Sequence, residues 1–159
     1  MQLLSQTEWG ELDYLIVDTP PGTGDVQLTL LQRIPLTSSI VVTTPQKVAI
    51  SDCKKGIEMI NKLNLPISGL IENMSWFQPD DTDKKYYLFG KDGGKELSEE
   101  YSLDLLAQLP LVELTDDANI QNHPTLKKEF VNISVKLTES IKNLKEKKSA
   151  GIPQINIIQ

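Results

Sequence analysis

The sequence has one cysteine, one histidine and few aromatic residues, which make up 6% of its 159 positions. A single thiol excludes an intrachain disulfide and any cysteine cluster for zinc or iron–sulfur. The lone histidine has no neighbouring nucleophile, so a Ser/His/Asp arrangement finds no support. His123, in Asn122-His123-Pro124, reads as a loop or capping residue. No apolar run approaches the ~20 residues needed to span a bilayer. The start, MQLLSQTEWGELDYL, lacks a basic stretch followed by an apolar one, so no signal peptide is visible. Basic side chains are outnumbered 16 to 22, for a net charge of −6. That balance disfavours bulk nucleic-acid binding, because a phosphate backbone would be repelled. The expectation is a soluble protein of a reducing compartment, most simply the cytoplasm, with no membrane partner.

What is present is aliphatic. Apolar residues are 39% of the chain and Leu, Ile and Val dominate them, as buried parallel strands and their covering helices require. The length suits one domain with a hydrophobic core. Charge is unevenly spread: residues 1–71 carry −2, residues 72–123 carry −8 and the remainder +4. Two solvated faces account for this most simply.

Four segments read as buried strands, each bounded by breaker residues. They are Tyr14–Val17 running into Asp18, Ser39–Thr44 before Pro45, Ile67–Ile71 running into Glu72-Asn73, and Leu105–Leu109 before Pro110. Helical stretches separate them at 25–34, Val48–Asn64 and 93–101, which is the rhythm of a parallel sheet with right-handed crossovers. A last helix, about Thr125 to Lys148, places Leu126, Phe130, Ile133, Leu137, Ile141 and Leu144 at spacings of three and four. Its other face carries Lys127, Lys128, Lys136, Lys142 and Lys145. A basic amphipathic helix can lie on a membrane surface, but docking on its own sheet is the commoner use. Residues 78–92 read as an inserted polar loop in which Tyr86, Tyr87 and Phe89 form a short strand or contact patch. The domain is expected over 1–148, with 149–159 as an extended tail.

The chemistry sits in Leu12–Asp25. An apolar strand ending in Asp18 puts a carboxylate at the carboxyl edge of a parallel sheet, where such folds bind ligands. One such carboxylate can hold Mg²⁺ through water. Pro20 and Pro21 cannot extend a ladder, and Gly22 and Gly24 permit a tight, mobile loop of the kind that reports on a γ-phosphate. A plain strand-to-helix turn with no ligand fits the spacing equally well.

The string WGELDYLIVDTPPGTGDVQLTLLQ resembles the Walker B and switch II region of the Mrp (ApbC-like) family, iron–sulfur carrier P-loop ATPases related to MinD and ParA. The resemblance continues in family order through VVTTPQKVAISDCKKGIEMI, GLIENMSWF, FGKDGGKELSEEY and LLAQLPL, covering about residues 5–125. It implies a doubly wound, mostly parallel α/β domain of the deviant-Walker type, incomplete at its N-terminus, and a homodimer sandwiching ATP. By the same resemblance Asp18 matches the Walker B aspartate that orders Mg²⁺ through water. Thr19, Pro20, Pro21 and Gly22, with Gly24 and Asp25, match switch II. Asn73 matches the asparagine that hydrogen-bonds adenine, and Pro110 and Leu111 match the loop beside the base. An asparagine amide both donates and accepts, as an adenine edge requires.

Two family features are missing. Members place a glycine-rich loop with two lysines well upstream of Walker B, whereas the 17 residues before Asp18 contain no lysine and one glycine, Gly10. Gly90-Lys91-Asp92-Gly93-Gly94-Lys95-Glu96 fails the pattern G-x-x-x-x-G-K-S/T and reads as a glycine-rich helix start. Without such a loop little stabilises the transferring charge, so this chain alone is expected to be a poor ATPase or none. The chain is most simply the C-terminal part of a longer protein, with Met1–Gln6 the end of a crossover helix. Many relatives also carry a C-x-x-C after E-N-M-S that holds a bridging 4Fe–4S cluster. Here Phe77–Lys85 has no cysteine, which argues against direct cluster binding. Cys53 reads as a small buried hydrophobe, and Asp80, Asp81 and Asp83 as a solvated loop rather than a metal site. The leading expectation is an ATP- and Mg²⁺-dependent iron–sulfur carrier with assembly or recipient proteins as partners. A non-catalytic dimerisation or scaffold module and a MinD/ParA-like positioning ATPase are the alternatives.

Overall fold

The computed structural model describes residues 6–20, 22, 24–79, 81–112 and 123–150, with side chains described as far as Glu146. The elements in chain order are α1 (Asp25–Arg33), β1 (Ser39–Thr43), α2 (Lys47–Lys62), β2 (Ile67–Glu72), α3 (Gly93–Glu100), β3 (Leu105–Gln108) and α4 (Pro124–Ala150). The three strands form one parallel sheet in the order β1-β2-β3. Each parallel step is made by a crossover helix, α2 and then α3, as the alternation of apolar runs and amphipathic stretches requires.

Side chains alternate across the sheet and so feed two cores. Val41 and Leu70 pack with Ile57 and Ile60 of α2 and Leu97 of α3. Ile71, Leu106, Ala107 and Leu109 pack with Ile133 of α4 on the opposite side. The terminal helix thus docks on its own sheet. Lys136 also donates to the Leu106 carbonyl at 2.7 Å, occupying a backbone acceptor of the edge strand. Phe130 departs from the expected apolar face and is exposed.

Both ladders of β2 carry an irregularity, one at its start and one at its middle. Ser39 pairs with Ile67 but Ile40 with Gly69, and Leu70 pairs with Leu105 but Ile71 with Ala107. Ser68 and Leu106 are therefore the extra residues of two facing bulges.

The expected strand at Tyr14–Val17 is not part of the sheet, and this corrects the four-strand expectation. Tyr14, Leu15 and Ile16 are exposed, Ile16 to 88%, and Val17 is half-buried. A strand apolar on both faces needs a paired neighbour and a covering layer, and the described residues provide neither beside β1. The same gap leaves Ile40 and Val42 exposed while Val41 is buried. Val41→Ala is therefore expected to cost about 2 kcal/mol, and Val42→Ala under about 0.5 kcal/mol, by urea denaturation of this chain. Equal costs would mean that the outer face of β1 is covered.

The tail 151–159, residues 1–5, Pro21 of the switch and Asp80 of the acidic trio lie outside the described residues. Among the described residues, no helix is long and apolar enough to cross a membrane.

Candidate functional site

The carboxyl ends of the strands bring Thr43, Glu72 and Gln108 into register. Each strand then runs into a polar or proline-bearing segment, and backbone hydrogen bonds tie these segments together. Asn73 N–H donates to the Thr43 carbonyl at 2.7 Å, and Leu109 N–H to the Glu72 carbonyl at 2.8 Å. Ser75 N–H donates to the Leu109 carbonyl at 2.8 Å and Leu111 N–H to the Trp76 carbonyl at 2.7 Å. The Ser75 hydroxyl, buried, also donates to the Glu72 carbonyl at 2.9 Å. Asn73 and Pro110-Leu111, far apart in sequence, thus form one strap across the sheet edge.

Within that strap the chain turns sharply, with Met74 at φ 55°. The turn is held by the Asn73 Oδ1, which accepts from Met74 N–H at 2.9 Å. Asn and Asp side chains hold turns in this way by bonding local backbone groups. The bond leaves the Asn73 NH₂ group and one oxygen lone pair outside it, so the half-buried amide can still donate and accept.

Glu72 lies beneath the strap and is fully buried, at 0% exposure. Its Oε1 accepts from Gln108 Nε2 at 2.8 Å, and its Oε2 accepts from the backbone N–H of Gly94 in the first turn of α3. The fit demands glycine at 94, where a Cβ would lie 2.7 Å from Glu72 Cβ and 2.9 Å from Oε2. The preceding loop is equally close to β1, since a Cβ at Gly93 would lie 2.8 Å from the Pro45 carbonyl oxygen. The F-G-K-D-G-G segment is therefore a helix start that seats the 76–92 excursion on the strand ends. Hydropathy patterning does not single out Glu72. The available signal was a carboxylate at the end of the otherwise buried I-S-G-L-I-E strand.

The excursion itself pairs Phe77 with Tyr86 in an antiparallel bridge, so an aromatic strand pairing does form there. Lys85 sits 4.0 Å from the centre of the Trp76 ring, and Lys84 and Lys91 stand over Tyr86 and Tyr87.

The Walker B-like segment lies outside the sheet. Asp18 and Pro20 are exposed and Thr19 is half-buried. Gly22 is exposed at φ 93°, and Gly24, in extended conformation, precedes α1 and accepts from Leu28 N–H at 3.1 Å. Asp25 occupies the first turn of α1, where the helix dipole favours a negative charge. The α1 helix docks through Leu31 onto the core shared by α2 and α3.

Cys53 is half-buried on α2, and its thiol donates to the Val42 carbonyl at 3.4 Å. His123 is half-buried, and its carbonyl accepts from Lys127 N–H at 2.9 Å, at the start of α4. Among the described residues, no group of three or more His, Cys, Asp or Glu is placed to hold a metal ion. The strap presents the donor and acceptor capacity of the Asn73 amide, and the sequence supplies one thiol, fewer than the four ligands of a 4Fe–4S cluster.

Resolved pKa shifts fall on the α2–α3 flank. Hydrogen bonding to Glu100, 2.8 Å away, holds the Lys54 ammonium above its usual range. Burial pushes the Tyr101 phenol up, with the Glu58 carboxylate adding to the effect.

A parallel sheet with crossover helices and polar groups gathered at its carboxyl edge places the chain in the open α/β class, whose ligands bind at that edge. The chain belongs to the ParA family described as NUBPL iron-transfer P-loop NTPase, which it matches over residues 1–145. It is 46% identical over 120 residues to an iron-sulfur cluster carrier protein of Pseudomonas fragi, covering 75% of this chain and 42% of that one. It is 45% identical over 125 residues to the iron-sulfur cluster transfer protein NUBPL of Mus musculus, covering 79% of this chain and 39% of that one. Among solved structures it resembles a nucleotide-binding protein in complex with ADP from Archaeoglobus fulgidus. That likeness has a TM-score of 0.63 and 28% identity, over 87% of this chain and 51% of the other. The chain thus spans about two-fifths of the length of these curated relatives.

Proposed function

We propose that this chain carries the base-binding and switch elements of an ATP-dependent iron–sulfur cluster carrier. The observation that carries the reading is the strap joining Asn73 to Pro110 and Leu111 at the carboxyl edge of the sheet, in a chain of this family. In the reading, Asn73 selects adenine while Pro110 and Leu111 pack beside the base. Asp18 orders Mg²⁺ through water, and Thr19, Pro20, Pro21, Gly22, Gly24 and Asp25 respond to the γ-phosphate. ATP occupancy governs a homodimer and, through it, exchange of the cluster, which is cargo, with recipient proteins in a reducing compartment. The sequence holds one thiol, too few to ligate such a cluster, so no transfer step is assigned to this chain.

The experiment joins this chain to the upstream half of a relative that carries the glycine-rich lysine loop. Calorimetry is expected to show negligible Mg·ATP binding by the 159-residue chain alone and micromolar binding by the fusion. Asp18→Ala in the fusion is expected to lower ATP turnover by about 100-fold, as loss of charge organisation at a transferring phosphoryl group does. Undiminished turnover would remove Asp18 from the reading.

A non-catalytic dimerisation module of the same fold is the competing outcome of this experiment. It predicts a fusion that dimerises but hydrolyses nothing.

A further inference from the structure

We infer that Glu72 is a positioning residue for the base site: its buried carboxylate clamps Gln108 and the start of α3 onto the end of β2, immediately before the Asn73 turn. The inference rests on the adenine-binding reading of Asn73 and goes beyond it.

Three observations carry it. First, Glu72 is fully buried, yet both its oxygens are used, Oε1 by Gln108 and Oε2 by Gly94 N–H. A buried carboxyl group is tolerated only when satisfied in this way, and removing it leaves the buried Gly94 N–H and the half-buried Gln108 amide without this partner. Second, these bonds do not serve the sheet ladder, which β2 completes with its own backbone. They reach sideways, to the helix start on one side and to the end of β3 on the other. Third, the Glu72 carbonyl is the acceptor for both Leu109 N–H and the Ser75 hydroxyl, so the same residue anchors both halves of the strap.

The consequence concerns Asn73 directly. A carboxamide discriminates bases only if its donor and acceptor meet the base edge in a fixed orientation. Asn73 sits in a turn whose ends are tied by backbone bonds to Thr43 at the end of β1 and to Leu109 after β3, so its orientation follows from how the ends of β2, β3 and α3 are held together. The Glu72 carboxylate holds those ends together through Gln108 and Gly94. The 76–92 excursion leaves the sheet just after Ser75 and returns at Gly93-Gly94, so both its ends meet the same clamp.

The test uses the 159-residue chain with adenosine and guanosine as probes, which need no phosphate loop. Binding is followed by amide shifts of Asn73 and Leu111 in nuclear magnetic resonance, below the melting temperature of each variant. Wild type is expected to prefer adenosine, at millimolar affinity. Glu72→Ala is expected to lower the adenosine-to-guanosine preference at least tenfold, towards unity. Gln108→Ala, which removes one donor from a half-buried site, lowers it about threefold and keeps the chain folded should Glu72→Ala not fold. Glu72→Gln restores it to within about threefold of wild type, because the amide oxygen still accepts from Gly94 and a rotated Gln108 amide accepts from the new NH₂ group. A purely structural role would shift the melting temperature and leave the preference of the folded population intact, and that result overturns the inference. If wild type itself shows no preference for adenosine, the base-site reading fails and the inference falls with it.

Discussion

Gly69→Ala is expected to destabilise the chain by about 3–4 kcal/mol, from overpacking and backbone strain together. The position looks innocuous in sequence, a glycine inside I-S-G-L-I-E, where alanine would ordinarily be no worse in a strand. In the structure Gly69 has φ +152°. A Cβ there would lie 2.5 Å from Leu106 Cγ, 2.8 Å from Leu106 Cδ2 and 2.9 Å from the Asp104 carbonyl oxygen. Leu106 cannot yield easily, because it is buried in the α4-facing core and its carbonyl accepts from Lys136. The Asp104 carbonyl is fixed too, by Leu70 N–H at 2.8 Å. Urea denaturation should show a midpoint shift with little change in slope. A cost below about 1 kcal/mol would mean that the facing bulges can slide, contrary to the packing described.

Leu70→Ala is expected to cost a further comparable amount, about 3–4 kcal/mol, for a different reason. Leu70 is at 0% exposure in the middle strand and packs with Val41, Ile57, Ile60 and Leu97. Its neighbours belong to β1, α2 and α3, so none can move into the space without dragging an element, and the cavity stays open. Against a total stability of about 5–15 kcal/mol for a typical domain, either substitution alone brings the chain near its limit, and the pair should unfold it. The two sites are sequence neighbours on opposite faces, so their costs need not add, and a double-mutant cycle measures the coupling. Leu70→Met, which conserves volume, should recover most of the loss.

The elements whose apolar residues keep one period over their whole length were legible in the sequence. Breakers at Pro45, Pro66 and Pro110 bounded three strands to within a residue or two of their observed ends. The long spacing of Leu126, Ile133 and Leu137 gave the terminal helix and its buried side. Tyr14–Val17 reads as a strand by the same criteria and is not one among the described residues. Its pattern records what that segment would bury beside a neighbour, and pairing partners are not a local property. The Asn73 turn was legible as the local string E-N-M-S. Glu72 was not, because its role depends on Gly94 and Gln108, 22 and 36 residues away.

By itself, then, the sequence determined three things about this protein: the alternation of strand and helix, the family, and the absence of a phosphate loop and paired cysteines in these 159 residues. These follow from residue identity and short-range order, which folding does not alter. Only the tertiary structure decided which strands pair, that glycine is required at 69 and 94, and that a buried carboxylate underlies the Asn73 turn. Each of those depends on close approach between groups distant in the chain. It was close packing and the need to satisfy every buried polar atom that selected them.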